Sequence, residues 1–540
     1  MKHKFTEEEL NKLDSKVLVS LFLSLQEQID LLEQSINMLT EQLKIANQRH
    51  FGRKTEKLSE IEGQLSFFDE AEAAYNPEEE EPTIETVIIT KRKKKKGKID
   101  IDFSNFPQES FAHPVSDEEA DRFFGEGCWR RMKSDRYKKL RYTPASWTVE
   151  VHDVDVVVGT DGLHQDEFLR GKHPKGVLGH SPLTPSLASA LMNGKFGNAI
   201  PFYRIEKEFQ NYDVNISRQT MCNWTMRLAE KYFIPICNFM RKQLLSLPVN
   251  QADETRVLVI QDGRPTPVDS WMWVHRSGEF YKDKQIILFE YQKTRHHQYP
   301  EDFYKEYKGV LVTDALQQYH MLEKSTPGIT SANCWVHARR EMADAVKAMK
   351  KDDPQKVRSS VAYQALQRIG KIYDIENALR NCSSEERLNR RQKEIAPLVE
   401  DFFAWLKEQQ EHCTYLPKSK TGKGVGYFLN QKKYLKVFLA NGDVPMDNSA
   451  SERSIRPFTI GRKNWLFNNT IRGAQASAAI YSVVETAKAN NLKPYYYMNY
   501  LLEEMPEMID SNGNIHDDDL EKLMPWSKEL PDECHKPAAK

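Results

Sequence analysis

Three acidic residues, Asp253, Asp314 and Glu452, stand where the chain could hold a divalent metal ion. Asp253 begins the β-branched segment DETRVLVI, and Asp314 directly follows another such segment, GVLVT. Glu452 lies in a basic stretch that runs from Asp447 to Gly473. Carboxylates hold the divalent ions that activate water in phosphodiester chemistry, while arginine and lysine hold the phosphates. These residues therefore predict metal-dependent chemistry on a polyanion.

The basic stretch reads DNSASERSIRPFTIGRKNWLFNNTIRG and has a local charge of +3, although the overall charge of the chain is −1. Two acids, Asp447 and Glu452, stand against five cations: Arg453, Arg456, Arg462, Lys463 and Arg472. Because such side chains bind phosphates, we expect all of these cations except Arg472 to hold a nucleic-acid backbone. Trp465 could stack on an unpaired base, but we expect it to fill core.

A β-sheet is predicted to position the acids. Five segments are rich in β-branched and aromatic residues: NQADETRVLVI, SWMWVHRS, QIILFEYQ, GVLVTDALQQYH and ITSANCWVHARREM. They predict four or five strands followed by a helix, which together make an α/β sheet. In a ribonuclease-H-like sheet the first and fourth strands are neighbours, so Asp253 and Asp314 could share metal ions. A helix is predicted to start at Ala315.

Spacing alone leaves other assignments of the acids open, because the chain has 78 acidic residues. Asp314 could be a helix N-cap, and Glu254 could replace the aspartate before it. Asp447, itself a plausible cap, and Glu485 are rivals to Glu452. Hard oxygen ligands favour Mg²⁺ or Mn²⁺ over zinc, and two such ions would serve the attacking and the leaving oxygen.

Composition narrows the class of protein. A chain of 540 residues is long enough for roughly two to four domains. Because 77 basic residues are balanced by 78 acidic ones, any DNA-binding surface must be a local basic patch. Seven cysteines without a CxxC pair argue against a disulfide framework and a thiolate zinc site. No apolar run approaches the roughly 18 to 20 residues that span a bilayer, and MKHKFTEEEL lacks a signal-peptide core. We expect a soluble cytoplasmic protein.

The first 100 residues predict a dimerisation arm and a linker. Residues 1–58 are predicted to form a coiled coil, because apolar residues recur at spacings of four and three. They are Leu18, Phe22, Leu25, Ile29, Leu32, Ile36, Leu39, Leu43 and Ala46. This pattern favours a parallel homodimer, with a helix packed on its own domain as the alternative. The charged linker, residues 59–100, contains KRKKKKGK, which is either a solvated tether or a non-specific phosphate contact.

Two modules are predicted between the linker and the sheet. Residues 101–180 contain SWTVEVHDVDVVV and the basic WRRMKSDRYKKLR, which predict a small β-containing module. In residues 181–245, PFYRIEKEFQNYDVNISRQTMCNWTMRLAE predicts a helix, a turn and a second helix capped by Ser217. An ordinary helical hairpin is the alternative. Arg218 and Gln219 at the start of the second helix favour a DNA-binding helix-turn-helix.

Several motifs together closely resemble the transposases of the insertion sequence 66 family: RHFGRKTEKLS, DETRVLVI, VTDALQQY, CWVHARREM, DNSASERSIRPFTIGRKNWLF and YSVVETAK. The resemblance implies a bacterial Asp-Asp-Glu transposase with a ribonuclease-H-like fold, and it places the acids at Asp253, Asp314 and Glu452. It also implies an α-helical insertion between the second Asp and the Glu. Members usually carry a cysteine-rich zinc module after the linker, but only Cys128 remains here, so no zinc is predicted.

The resemblance also implies a reaction, in which the ends of the element are hydrolysed and the freed 3′ hydroxyl attacks target DNA. The expected partners are double-stranded DNA, a second copy of the chain and small accessory proteins of the same element, with no membrane. In CWVHARR, Cys334 and His337 are assigned structural roles, and Arg339 and Arg340 are expected to contact phosphate. The alternatives are a DNA-binding regulator with an inactive catalytic domain and a nuclease that cuts without joining.

The predicted architecture is a multidomain α+β chain. After the arm, the linker, the β-containing module and the helix-turn-helix, the ribonuclease-H-like core occupies residues 246–337 and 441–509. Residues 338–440 form the all-α insertion, and residues 510–540 are predicted to be a disordered tail because they are polar.

Overall fold

The structure is a computed structural model that describes thirteen stretches of the chain. They are residues 14–20, 22–26, 28–29, 117–124, 126, 146–153, 156–158, 168–170, 175–179, 181–265, 268–349, 354–412 and 415–537. The chain divides into two units, of which one is residues 66–172 and the other comprises residues 1–65 and 173–540.

The smaller unit contains one helix and a two-stranded sheet in its described residues. Helix α1 is Asp117–Phe124, and the strands are β1, Val156–Val158, and β2, Phe168–Arg170. The strands pair antiparallel with Val157 opposite Leu169. The predicted strand SWTVEVHDVDVVV is therefore a strand at its end, whereas residues 146–153 have no regular secondary structure. Cys128 lies outside the described residues.

The beginning of the predicted coiled coil is helical where the structure describes it. Residues 15–20, 22–26 and 28–29 are in helical conformation. Leu18, Phe22, Leu25 and Ile29, four of the predicted seam residues, are all exposed within the single chain. The other seam residues and the charged linker lie outside the described residues, so the coiled coil and the dimer stay predictions.

Between residues 181 and 248, four α-helices precede the sheet: α2, Pro185–Met192; α3, Phe202–Gln210; α4, Arg218–Leu228; and α5, Ile234–Leu245. Short π-helical turns, Asn193–Gly197 and Ala229–Phe233, follow α2 and α4. The predicted cap of α4 is confirmed, because the Ser217 hydroxyl accepts a hydrogen bond from the Thr220 N–H at 3.1 Å. The Thr184 hydroxyl accepts from the Leu187 N–H in the same way at the start of α2.

The larger unit is built on a mixed sheet. Its strands are β3, Val249–Gln261; β4, Asp269–Ser277; β5, Ile287–Gln292; β6, Gly309–Thr313; β7, Ile329–Asn333; and β8, Asn468–Thr470. The order is β5-β4-β3-β6-β7, with β8 also paired to β3. Strands β4 and β5 run antiparallel to their neighbours, whereas β6 and β7 continue parallel to β3. Helix α6, Gln298–Phe303, precedes β6, and α7, Gln317–Ser325, separates β6 from β7.

Two predicted boundaries in the sheet are wrong. Asp253 is the fifth residue of β3, because the buried side chains of Asn250 and Gln251 are hydrogen-bonded and the strand continues through them. The helix after Asp314 starts at Gln317 instead of Ala315. Leu316 has an extended backbone, with φ −69° and ψ 137°, so the segment between β6 and the helix is a short loop.

A second hydrophobic core lies under the helices that follow β7. They are α8, Trp335–Ala348; α9, Pro354–Ser359; α10, Val361–Ala378; α11, Ser384–Arg390; α12, Ala396–Glu411; α13, Lys420–Asn430; and α14, Lys432–Leu435. The fully buried Trp335 is at its centre, with Phe402, Phe403, Phe428 and Phe438 around its ring. The indole N–H donates to the Leu435 carbonyl at 2.7 Å, so this polar group is satisfied inside the core.

The chain returns to the sheet with α15, Ser449–Trp465, and ends in α16, Ile471–Ala489; α17, Pro494–Met508; and α18, Asp517–Leu523. The prediction of a disordered tail is wrong for the described residues up to 537. Leu520, Leu523, Met524 and Cys534 are buried in the hydrophobic core that also contains Met272 and Val274 of the sheet, and the Lys493 N–H donates to the Cys534 carbonyl at 2.7 Å. A few apolar residues in a polar segment thus suffice to fix it. No described helix is both long and apolar enough to cross a membrane.

Candidate active site

The register of two parallel strands brings Asp253 and Asp314 together. Gln251 on β3 lies opposite Val312 on β6. The paired residues end there, and Asp253 and Asp314 each follow two residues after this last pair, at the end of the paired part of neighbouring strands that are about 4.8 Å apart. The aspartate charges interact, since Asp314 is among the groups that raise the pKa of Asp253. The two acids therefore lie at the same end of the β3–β6 pair, as the neighbouring first and fourth strands of the predicted sheet require.

Hydrogen bonds at the start of α15 fix the helix that carries Glu452. The Asn448 side-chain amide donates to the Ala252 carbonyl at 2.8 Å and accepts from the Gln251 amide at 3.2 Å. The Asn448 backbone N–H donates to Cys334 Sγ at 3.1 Å. Glu452 lies in the first turn of this helix, and its charge contributes to the raised pKa values of both Asp253 and Asp314. The three predicted acids thus belong to one electrostatic cluster.

Arg276 on β4 also bonds to the first turns of α15. Its guanidinium is buried and donates to the Ala450 carbonyl and to the Ser454 hydroxyl, both at 2.9 Å. A further bond runs to the Gln285 side chain. Arg276 therefore positions α15 relative to the sheet.

Replacing Arg276 by Met is expected to lower the free energy of unfolding by about 3 kcal/mol, because the buried acceptors lose a charged donor. Urea denaturation of the purified protein measures this. Arg256→Met is the matched control, since that arginine on the neighbouring strand β3 forms an exposed pair with Asp269. It should change stability by less than about 1 kcal/mol. Equal effects of the two substitutions would contradict the positioning role.

The pKa values of the two aspartates are raised because like charges are gathered where water is scarce. Burial, followed by the charges of Glu254, Asp314 and Glu452, raises the pKa of Asp253 well above its usual range. Burial and the charge of Glu254 raise the pKa of Asp314 to about 7, and Glu452 adds to this. Asp314 Oδ1 is buried and has no hydrogen-bond partner among the described residues. A cation would relieve this repulsion.

This cluster is expected to make the metal-free protein less stable at alkaline pH. The folded-state pKa of Asp314, about 7, lies above the usual 3.8, so its stabilising contribution is complete below pH 3.8 and is lost as the pH rises through 7. Asp314→Asn removes this penalty. In EDTA, the stability gained by this substitution should be about 2 kcal/mol larger at pH 8.5 than at pH 5.5. Urea denaturation at both pH values, with the exposed Asp283→Asn as control, measures it; a gain independent of pH would contradict it.

The rival acids have other partners. Glu254 accepts hydrogen bonds from Arg295 Nε and from the Tyr319 hydroxyl, both at 2.7 Å. Asp447 accepts from the Ser449 N–H at 2.9 Å, in the turn directly before α15, whose N-cap residue is Asn448; the prediction of Asp447 as the cap is therefore wrong by one residue. Glu485 lies on α16 and pairs with Lys488 at 2.9 Å. These contacts explain each rival as a structural residue, although Glu254 also belongs to the charge cluster around Asp314.

His337 is a site neighbour that the sequence pattern assigned only a structural role. Its Nε2 lies 3.6 Å from Glu452 Oε1. Burial, aided by the charge of Arg340, lowers the pKa of His337 to about 4, so the imidazole is neutral at pH 7. The motif CWVH is the sequence signal that could have indicated this contact. Cys334 contacts the start of α15, and His337 follows about one helical turn later on α8.

Sequence comparison decides the family. A sequence model described as "Transposase IS66 family" matches residues 180–476, and the "IS66 C-terminal element" matches residues 482–526. The chain belongs to the IS66 family of transposases. A third model, "Transposase C of IS166 homeodomain", matches residues 38–103, where the residue pattern predicts the end of the arm and the linker.

Three proteins of Sinorhizobium fredii (strain NBRC 101917 / NGR234) are similar to this chain, and all three are described as uncharacterized. The chain is 25% identical to y4hP over 362 residues, which are 65% of the chain and 63% of y4hP. It is 26% identical to y4jD over 67% of the chain and 70% of that protein. It is 24% identical to y4qI over 73% of the chain and 71% of that protein. The chain thus spans just under two thirds of y4hP.

The donor atoms of the candidate active site suit a hard divalent cation. Among the described residues, no three His, Cys, Asp or Glu side chains lie close enough together to hold an ion by themselves. Mg²⁺, however, is usually held by one or two carboxylates together with water and substrate phosphates. The two aspartates at the same end of the β3–β6 pair and the unpartnered Asp314 Oδ1 fit that mode of binding. Asp253 and Asp314 could therefore hold Mg²⁺ or Mn²⁺ on a DNA substrate, with Glu452 beside them.

The side chains predicted to contact DNA lie on three helices. Arg218 and Gln219 are exposed at the start of α4, while Arg339 and Arg340 lie in the first two turns of α8. The other four are on α15: Arg453, Arg456, Arg462 and Lys463. Arg453 pairs with Glu279 at 3.2 Å, and Lys463 is exposed. Trp465 is half-buried and packs near Tyr481, in agreement with the expected packing role.

Proposed function

We propose that this IS66 transposase cleaves the ends of an insertion sequence and joins them to target DNA, with Asp253, Asp314 and Glu452 as its catalytic acids. The observation that carries the proposal is the parallel pairing of β3 with β6, after which Asp253 and Asp314 follow at equal distances, with the Glu452 helix bonded to β3 at Ala252. This arrangement supports a joint role for three acids from distant parts of the sequence, whose charges interact. Family membership supplies the DNA substrate class.

The strand order supports a ribonuclease-H-like catalytic core. Three antiparallel strands, β3, β4 and β5, are followed by β6 and β7, which add parallel to the other side of β3. This is the arrangement in which the first and fourth strands are neighbours. The segment between β7 and α15 is helical in its described residues, which fits an insertion between the second aspartate and the glutamate.

Each group of side chains has a part in the proposed mechanism. Bound divalent ions would supply an activated oxygen nucleophile and neutralise charge at the phosphate. Asp253 and Asp314 would hold these ions from the sheet, and Glu452 would complete the ligand set from α15. His337 would help to position the Glu452 carboxylate. Because its imidazole is neutral, it would not repel the bound ions. Hydrolysis and strand transfer are both in-line displacements at phosphorus, so one site can serve both.

Arg218 and Gln219 would read base edges at the end of the element, since they are exposed at the start of a capped second helix. Replacing both by Ala is expected to weaken binding to the end sequence by at least about tenfold, with little effect on random DNA. Lys207→Ala on α3 is the control. Competition mobility shifts with end and scrambled duplexes measure the ratio. An unchanged ratio would contradict this reading role.

The test of the proposed function is an assay with labelled end duplex, target plasmid, the accessory proteins of the element and Mg²⁺ or Mn²⁺. We expect cleaved and joined products that disappear when EDTA removes the metal. Cleavage without joining would favour a ribonuclease-H-like nuclease. Binding without cleavage or joining would favour a DNA-binding regulator.

A further inference from the structure

The junction between α15 and β8 is a strained turn. Leu466 has φ +66° and ψ −46°, and the Phe467 N–H donates to the Trp465 carbonyl at 2.8 Å. These features define a γ-turn of the rare positive-φ kind, which is strained for a residue with a side chain. A glycine would adopt this backbone at lower cost. A leucine held in this strained backbone therefore indicates a functional role for the turn.

Packing on both sides holds the turn in place. The Trp465 ring folds back on its own helix, where a Cβ on Gly461 would come within 2.3 Å of it. Lys195 Nζ lies 5.4 Å from the centre of the same ring. Beyond the turn, β8 pairs with the far end of β3, with Asn468 opposite Val259. The turn is thus a rigid projection between a packed helix and a paired strand.

The projection displays apolar side chains beside cations. Leu466 is 67% exposed and Phe467 is 46% exposed. Arg462 and Lys463 lie in the last turn of α15, directly before them. Burial lowers the pKa of Arg462, and the negative charge of Asp269 opposes this effect. Two exposed apolar side chains on a strained turn, with cations at their base, match the chemistry of stacked bases between phosphates.

The lengths of α15 and β3 each give the distance between the candidate active site and the turn at Leu466. From Glu452 to Trp465, 13 residues of α15 rise about 20 Å. From Asp253 to Val259, which pairs beside the turn, six residues of β3 also rise about 20 Å. At about 3.4 Å per base pair, this distance corresponds to about six base pairs of DNA.

We propose that Leu466 and Phe467 form a wedge that enters the end DNA about six base pairs from the reacting phosphate and unstacks a base step there. The wedge rests on the proposed function, because it needs end DNA in the candidate active site. Apolar side chains of this kind kink duplexes by separating neighbouring bases. Arg462 and Lys463 hold the flanking phosphates. This role explains the strained turn, because the turn holds the Leu466 and Phe467 side chains outward.

The test uses end duplexes that carry 2-aminopurine at single positions from three to nine base pairs from the cleaved phosphate. Wild-type protein should raise fluorescence only near the sixth position. Phe467→Ala should abolish the rise and weaken binding to end DNA about tenfold. Leu466→Gly should do the same without lowering the melting temperature, because it relieves the strained φ. Tyr496→Ala, at an exposed ring on α17, is the control and should behave as wild type.

The outcomes separate this inference from the function on which it rests. Wild-type protein that joins ends but leaves 2-aminopurine unchanged at every position would overturn the wedge and leave the transposase intact. Failure of wild-type protein to bind and join would refute the proposed function itself. If Phe467→Ala instead changed the sedimentation of the free protein and not the fluorescence, the projection would be a self-association surface, and the wedge would be wrong.

Discussion

Replacing Glu452 by Gln is expected to reduce cleavage and strand transfer by about 10³-fold or more. The substitution removes one charge from the cluster that would hold the divalent ions, and a loss of about 4 kcal/mol in transition-state stabilisation corresponds to that factor. The side chain keeps its size at the start of α15, so the fold should be retained. Rates of joining of labelled end duplex, with melting temperature measured in parallel, report both quantities.

Glu485→Gln is the matched control for this prediction. Glu485 is the rival acid on α16, and its contact with Lys488 explains it as a structural residue. Joining by this variant should stay within a few-fold of wild type. Joining that survives Glu452→Gln and fails with Glu485→Gln would reverse the assignment.

Replacing Arg391 by Met is expected to destabilise the helical region by about 4 kcal/mol. The guanidinium is fully buried and pairs with Glu376, with Nε at 2.9 Å from the carboxylate. It also donates to three carbonyls, those of Phe438, Asn441 and Val444. The substitution would leave the Glu376 charge without its partner and three acceptors unsatisfied. Urea denaturation followed by tryptophan fluorescence measures the loss.

Arg390→Met is the adjacent control for Arg391. Arg390 forms a partly exposed ion pair with Glu394 one helical turn away, so its loss should cost less than about 1 kcal/mol. A small effect at Arg391, comparable with that at Arg390, would show that the buried pair does not stabilise this region.

The sequence predicts the local parts of the site well. β-Branched runs mark β3 and β6, and the acid that closes GVLVT is found directly after its strand. The Ser217 cap follows from short-range hydrogen-bonding rules and is confirmed, whereas the N-cap of α15 is Asn448 instead of the predicted Asp447. The choice among the acids rests on their positions at the predicted strands more than on their spacing, and the motif resemblance implies the same three residues.

Long-range contacts explain what the sequence could not predict. The bond from Asn448 to Ala252 joins residues nearly 200 positions apart, and no local pattern announces it. The same holds for the approach of His337 to Glu452 and for the pairing of Glu254 with Arg295. The final segment was predicted as disordered because its average polarity hides Leu520 and Leu523, which pack only when the core is present.

The central claim is that Asp314 holds the metal ions of a strand-transfer reaction, and one measurement tests it most directly. Labelled end duplex and target DNA are incubated with Mg²⁺ and either wild-type protein or Asp314→Asn, while mobility shifts record binding. We predict joined product with wild type, none with Asp314→Asn, and equal binding by both. Joined product formed by Asp314→Asn at the wild-type rate would contradict the claim.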